Sequence, residues 1–390
     1  MIATFLFSLS MLTSDVESIR LAGQWLVHNF RSDGLFRYGF EPALDRDIDE
    51  ENLVRQAGTA AALARAGAIL QDEKMTRRAR EVLARLIELR NEDRKSPLAA
   101  RKRFAQQKGA HPVGLGALLL VGLSELNERT EAEIEQGDAI AGYLLSHQRD
   151  DGSIRLDDRE EEDDDDGEVD QEGWAYYPGE ALYALARWGV VRDQLALLER
   201  VSRSRAVYWK LWRQEKEPAF IPWQSAAHAE VFQATGEKTS ASMVFEMNDW
   251  LLGLQYDGKA SPASWCGGFG HYHQGERWAT EPGIASASYA ESLVEAVRVA
   301  RLMKDTVREE RYRRALDQAI AFVGRLQYRQ GDLGHFAEAY RPKLVGAFFQ
   351  APFDGTVRID FTQHAVMAMG GREKLSASEV PRAPVSTRAN

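Results

Sequence analysis

The sequence predicts an all-α protein, an (α/α)6 barrel of six outer-then-inner helix pairs. Three observations carry that expectation. Helical periodicity recurs along most of the chain with almost no strand-like alternation. Successive helices alternate in composition, first amphipathic and charged, then rich in Ala, Gly and Ser. Their connections alternate too, short after the small-residue helices and mostly long after the charged ones.

The periodicity gives twelve helices, at about residues 14–30, 53–70, 73–91, 113–127, 131–149, 178–189, 192–209, 223–235, 239–256, 283–304, 307–327 and 359–370. Odd members such as DEKMTRRAREVLARLIELRNE carry a charged face, as helices wetted on one side do. Even members such as VGLGALLLVGL are nearly free of charge and belong inside, where small residues let helices approach closely. Pro112, Pro178, Pro222 and Pro282 stand where four even helices begin; proline suits a first turn because its missing N–H would be unpaired there. The long segments 31–52, 92–112, 150–177, 257–282 and 328–358 all follow odd helices, so they gather at one end of the ring. Loops of that length in a compact domain are usually functional or disordered.

A single domain is expected over residues 14–371, with an apolar segment at 1–13 before it and a polar, proline-punctuated tail at 372–390 that reads as disordered. The apolar stretch IATFLFSLSML is too short to span a bilayer and lacks a basic n-region and an A-x-A site. Packing on the body is its simplest reading. The compartment stays open between cytoplasmic and, with 1–13 as part of a signal, periplasmic or secreted. The net charge of −10 is local: residues 156–172 hold twelve acids and one arginine, so the rest is nearly neutral. That run reads as a solvated insertion, with a calcium site as the alternative. That balance implies no basic face for nucleic acid. The single cysteine, Cys266, excludes an internal disulfide, and nothing in the sequence fixes the oligomeric state.

Four outer helices end alike, in VHNFRSDGLFRY, LLSHQRDDGSIRL, LLGLQYDGKASP and VGRLQYRQGDLGHF. This theme resembles the helix-ending repeat of the α/α-toroid superfamily, which includes terpenoid cyclases, protein prenyltransferases and six-hairpin glycosidase-like enzymes. Gln148, Asp151, Gly152 and Ser153 match its Q-x-x-D-G-S core, while Ile154 replaces the tryptophan of the cyclases. The resemblance implies the toroid, and substrate binding at the end where the inner helices begin. It carries over no catalytic residue.

Six helix starts facing one hollow favour anionic or oxygen-rich ligands, because unpaired N–H groups and positive dipole ends collect there. The residues placed on that rim suit a saccharide, whose apolar faces stack on aromatic rings while carboxylates bind its hydroxyls. Glu180, Glu281 and Asp360 are the candidate catalytic acids, able to serve as general acid and base. Each has a bland alternative, since acids in a first turn also stabilise the dipole and Asp360 could be an N-cap. Candidate binding residues are Arg37, Glu51, Arg55, Trp174, Tyr177, Trp223, Trp265, Arg277, Arg358 and His364. The same rim takes in Trp212, Gln224, His228, His271, His273, Trp278, Tyr289, Glu291 and Gln363. The arginines fit a uronate or other anionic sugar, or else pair with Glu50 or Glu51.

Cys266, His271 and His273 form C-x4-H-x-H, which a zinc site would have to complete from across the ring with Asp360 or His364. No metal or cofactor is expected. The reading is therefore a carbohydrate-active protein working by hydrolysis, lytic cleavage or epimerisation on a poly- or oligosaccharide. A zinc-dependent or isoprenoid- or peptide-binding toroid, and a non-catalytic saccharide-binding protein, are the alternatives.

Overall fold

The computed structural model describes residues 15–95, 111–156, 173–259, 261–273 and 275–377. The segment 1–13, the acidic run from 157 to Glu172 and the tail beyond 377 lie outside the described residues. The described residues hold twelve long helices: α1 (Asp15–His28), α2 (Leu53–Leu70), α3 (Glu73–Lys95), α4 (Pro112–Glu125), α5 (Glu131–Ser146), α6 (Tyr177–Arg192), α7 (Leu195–Gln214), α8 (Ile221–Thr235), α9 (Lys238–Leu251), α10 (Ser286–Met303), α11 (Thr306–Gly324) and α12 (Ile359–Ala377). The all-α toroid is the observed architecture.

Even helices form the inner wall. Each packs on the next, α2 on α4, then α6, α8, α10 and α12, and α12 returns to α2 to close the ring. Their small residues permit this: a methyl added at Gly58 of α2 would lie 2.3 Å from the Gln363 amide of α12. Short turns join the first five inner helices to the outer helices that follow them. The inner helices α2, α6, α8 and α10 end on a left-handed residue, Gln71, Asp193, Gly236 and Lys304 respectively, which reverses the chain at once.

The helix-ending theme has a structural task that sequence alone did not disclose. Gln148 donates its amide to the carbonyl of Arg200 in α7, Gln255 to that of Ala315 in α11 and Gln327 to that of Ser18 in α1, at 2.8, 2.9 and 2.9 Å. Each glutamine therefore ties the end of one outer helix to the flank of the next. The last of these bonds closes the outer wall.

Far from the long loops, one charged side chain from each inner helix joins a buried girdle. Arg65 of α2 grips Glu125 of α4 through two bonds of 3.0 and 2.7 Å. Arg187 of α6 lies 3.8 Å from Glu125 and 3.6 Å from Glu230 of α8, which Arg298 of α10 approaches at 3.4 Å. Lys374 of α12 reaches Glu125 at 3.2 Å. Burial alone would raise the Glu125 carboxyl, but Arg65, Lys374 and Arg187 hold it well below the usual carboxylate range. Arg65→Ala should cost about 3–5 kcal/mol, because Glu125 stays buried with its two-bond partner gone. A thermal or denaturant midpoint unchanged from wild type would contradict this reading of the girdle.

Three details differ from expectation. First, short strands occur in the long loops. A sheet in the order β2-β1-β6-β5 comprises β1 (Gly39–Glu41), β2 (Arg46–Asp47), β5 (Phe349–Ala351) and β6 (Asp354–Arg358), and a hairpin comprises β3 (His271–His273) and β4 (Glu276–Trp278). They are too short for alternation to register, yet the antiparallel β1–β6 pair binds the first long loop to the last. Second, α10 starts at Ser286 rather than at Pro282, because Ile284 donates its backbone N–H to Gln350 of β5 and holds that approach off the helix. Third, α12 runs past Gly371 to Ala377, where Arg372 makes two bonds of 2.6 Å to Asp15.

Candidate active site

The inner-helix starts and long loops surround a cavity of about 590 Å³. The first turns of α2, α6, α8 and α12 supply Arg55, Tyr177 with Glu180, Trp223, and Asp360, and His364 follows one turn further along α12. The turn before α10 supplies Glu281, while β3, β5 and β6 supply His271, Gln350 and Arg358. The N-cap residues of α6, α8 and α10 make no side-chain capping bond to the helix starts.

All three candidate acids line this cavity, each in a different environment. Glu180 is buried, its Oε2 has no hydrogen-bond partner among the described residues, and burial pushes its carboxyl up to about 8. It therefore carries its proton at neutral pH. Asp360 receives Arg358 at 2.9 and 2.5 Å, with the Arg55 Nε at 3.4 Å. Burial alone would raise the Asp360 carboxyl, but Arg358, Arg55 and His364 together hold it below its ordinary value. Glu281 keeps a buried Oε1 without a partner. Such opposed environments are how one site holds an acid and a charged carboxylate together.

His364 donates from Nδ1 across 2.7 Å to Glu291 Oε1, which leaves Nε2 as its other polar atom. Burial would lower its pKa, but Glu291 and Asp360 hold it above the ordinary histidine value. The Trp223 ring lies 6.4 Å from it, and a cavity of about 30 Å³ beneath Trp223 and Glu291 separates the site from Arg65 of the girdle.

No protein-family model and no curated protein matches this sequence. Solved structures do match in fold. Unsaturated glucuronyl hydrolase from Bacillus sp. GL1, responsible for the degradation of glycosaminoglycan, superposes with a TM-score of 0.61 at 12% identity, over 90% of this chain and 95% of its own. D-mannose isomerase gives 0.61 at 13% identity over 95% and 97%. The α-1,6-mannanase of Salegentibacter sp. HEL1_6 gives 0.58 at 12% identity over 93% and 100%. The chain shares the α/α-toroid fold of these structures.

The toroid leaves five of the candidate binding residues outside the cavity wall. Arg37 is exposed on the approach to β1. Glu51 is held by Arg31 at 2.6 Å and by the Gln56 amide at 2.9 Å, an arrangement that orders the start of α2. Trp174 packs on Phe220, and Trp265 on Tyr256. Arg277 covers the Tyr256 ring and donates to the Leu254 carbonyl. Trp212, Gln224 and His228 are buried inside the wall. The alternative pairing of rim arginines with Glu50 or Glu51 gives way to Arg55 and Arg358 converging on Asp360. Among the described residues no group of three or more His, Cys, Asp or Glu is arranged to hold a metal ion, and no helix is long and apolar enough to cross a membrane.

Gln350 and Ser288 also line the cavity and were not expected. Gln350 had a legible signal: APFDGTV, with Asp-Gly beside a proline between apolar runs, marks the β5–β6 turn.

Proposed function

We propose that the toroid hydrolyses a glycosidic bond of a saccharide held in this cavity, with Glu180 as general acid. The observation that carries the reading is a set of three cavity-lining residues, Glu180, Glu281 and Gln363, each with a buried side-chain oxygen that has no partner among the described residues. Buried polar atoms of folded proteins are almost always paired, so this set calls for a hydroxyl-rich ligand. Tyr177, Trp223 and Tyr289 provide the flat apolar surface that a pyranose ring needs. Glu180, still protonated at neutral pH, gives its proton to the departing glycosidic oxygen. Glu281 activates the attacking water, or attacks the anomeric carbon directly. Asp360 stays ionised between two arginines and orders the α2 and α12 starts against each other.

The fold neighbours named above act on saccharides, which agrees with this assignment while leaving substrate and bond open. Incubation with neutral and uronate-containing oligosaccharides in ¹⁸O-water should give shorter products that carry the label at the new reducing end. Unchanged saccharides across that set would contradict hydrolysis.

A second reading rests on the 2.7 Å His364–Glu291 pair beside Arg55, an arrangement suited to moving a proton between adjacent sugar carbons. It predicts isomers that keep the mass of the substrate in ordinary water and acquire carbon-bound deuterium in heavy water, with no cleavage.

A further inference from the structure

The β3–β4 hairpin stands at the mouth of the cavity with its two faces in contrasting states. One face is fixed to the body: the Tyr272 ring meets Trp250 edge-on at 4.8 Å, and Arg277 sits 5.0 Å over the Tyr256 ring. The register pairs His271 with Trp278 and His273 with Glu276, so these four side chains share the opposite face. His271 lines the cavity, and Trp278, directly across from it, is 54% exposed. Among the described residues no ring contact or side-chain hydrogen bond holds the Trp278 indole in this open position beside the cavity wall.

Beyond β4 the chain passes through Glu281 to Ile284, which is bonded to Gln350 of β5. The β5–β6 turn that follows carries Phe353, 90% exposed. Glu217, whose carboxyl burial holds above its ordinary value although the Ala219 backbone N–H donates to it, stands close enough to the same hairpin face to interact with His273. The mouth thus offers an exposed aromatic ring, imidazoles and carboxylates in a row continuous with the cavity.

We propose that the His271–Trp278 face is a second sugar-binding subsite, stacking a pyranose unit of the same chain whose neighbouring unit occupies the cavity. The substrate is accordingly an oligosaccharide or polysaccharide rather than a free monosaccharide. This rests on the saccharide reading of the cavity, which supplies the first unit. Trp278 provides the stacking surface, and His271, His273 and Glu276 provide hydroxyl partners.

Labelled full-length Glu180→Gln protein, tested on an array of neutral and uronate-containing glycans of one to six units, separates the two claims. Binding should grow with length, and adding Trp278→Ala should weaken the longer glycans roughly fivefold to twentyfold while leaving single units unchanged. Trp278→Phe should restore most of the loss. The exposed position of Trp278 means that both variants should melt as their parent does. Binding that does not depend on length, or a length dependence that survives Trp278→Ala, overturns the subsite and leaves the cavity reading standing. Binding to no glycan at all removes both.

Discussion

Glu180→Gln is expected to lower kcat by about 10²–10⁴-fold, the range a positioned general acid contributes, without loss of fold stability. Glutamine keeps the shape and donor capacity of the protonated acid but has no proton to transfer. The wild-type kcat should fall as pH rises through about 8, where burial sets the Glu180 carboxyl. Stability should follow the same group. In the unfolded chain Glu180 releases its proton near 4.5, whereas in the folded protein it holds the proton to about 8. The stabilisation from that raised value is full below the unfolded pKa and is lost as pH rises through the folded one. The mutant has no such loss, so its melting temperature should gain on wild type between about pH 5 and pH 8. A pH-independent gap, or full turnover in Glu180→Gln, would remove Glu180 from the chemistry.

Gly346→Ala is expected to destabilise the protein by about 2–5 kcal/mol. Gly346 adopts a φ of 94°, and an added Cβ would lie 2.1 Å from the Leu21 carbonyl of α1. That carbonyl is backbone within a helix and cannot swing aside. The Gly346 carbonyl also accepts from Gln327 at 3.1 Å, so the same few atoms close the outer wall between α11 and α1. Gly331→Ala, where an added methyl meets nothing within 4 Å, is the control and should stay within about 0.5 kcal/mol. Denaturant midpoints of the two variants decide the point. Equal midpoints would mean that the ring does not depend on this junction.

What the sequence disclosed and what it hid follow from geometry. The alternation of charged and small-residue helices is forced by an outer wall that meets water and an inner wall that meets neighbours on both sides, so the toroid was legible. First-turn side chains of inner helices are bound to gather at one end of the axis. That is why Arg55, Tyr177, Glu180, Trp223, Asp360 and His364 could be placed around one hollow from their positions alone. Loop residues obey no such constraint. In a three-residue strand one step in register exchanges faces, which put Arg277 against Tyr256 and Trp278 in the open. Glu51 lies just outside the start of α2 and is used up ordering it. The Arg65–Glu125 and Glu291–His364 pairs join helices 60 and 73 residues apart. Such pairs appear only once the ring is built, and no local pattern announces them.

The central claim is that the inner-helix starts open on one cavity built to receive sugar hydroxyls. A crystal structure of the Glu180→Gln protein soaked with an oligosaccharide that binds it tests this most directly. The account predicts a sugar ring between Trp223 and Tyr177, with hydroxyls within hydrogen-bond distance of Glu281 and Gln363 and a glycosidic oxygen at the position 180 amide. A saccharide bound elsewhere, with those oxygens still unpartnered, would contradict it.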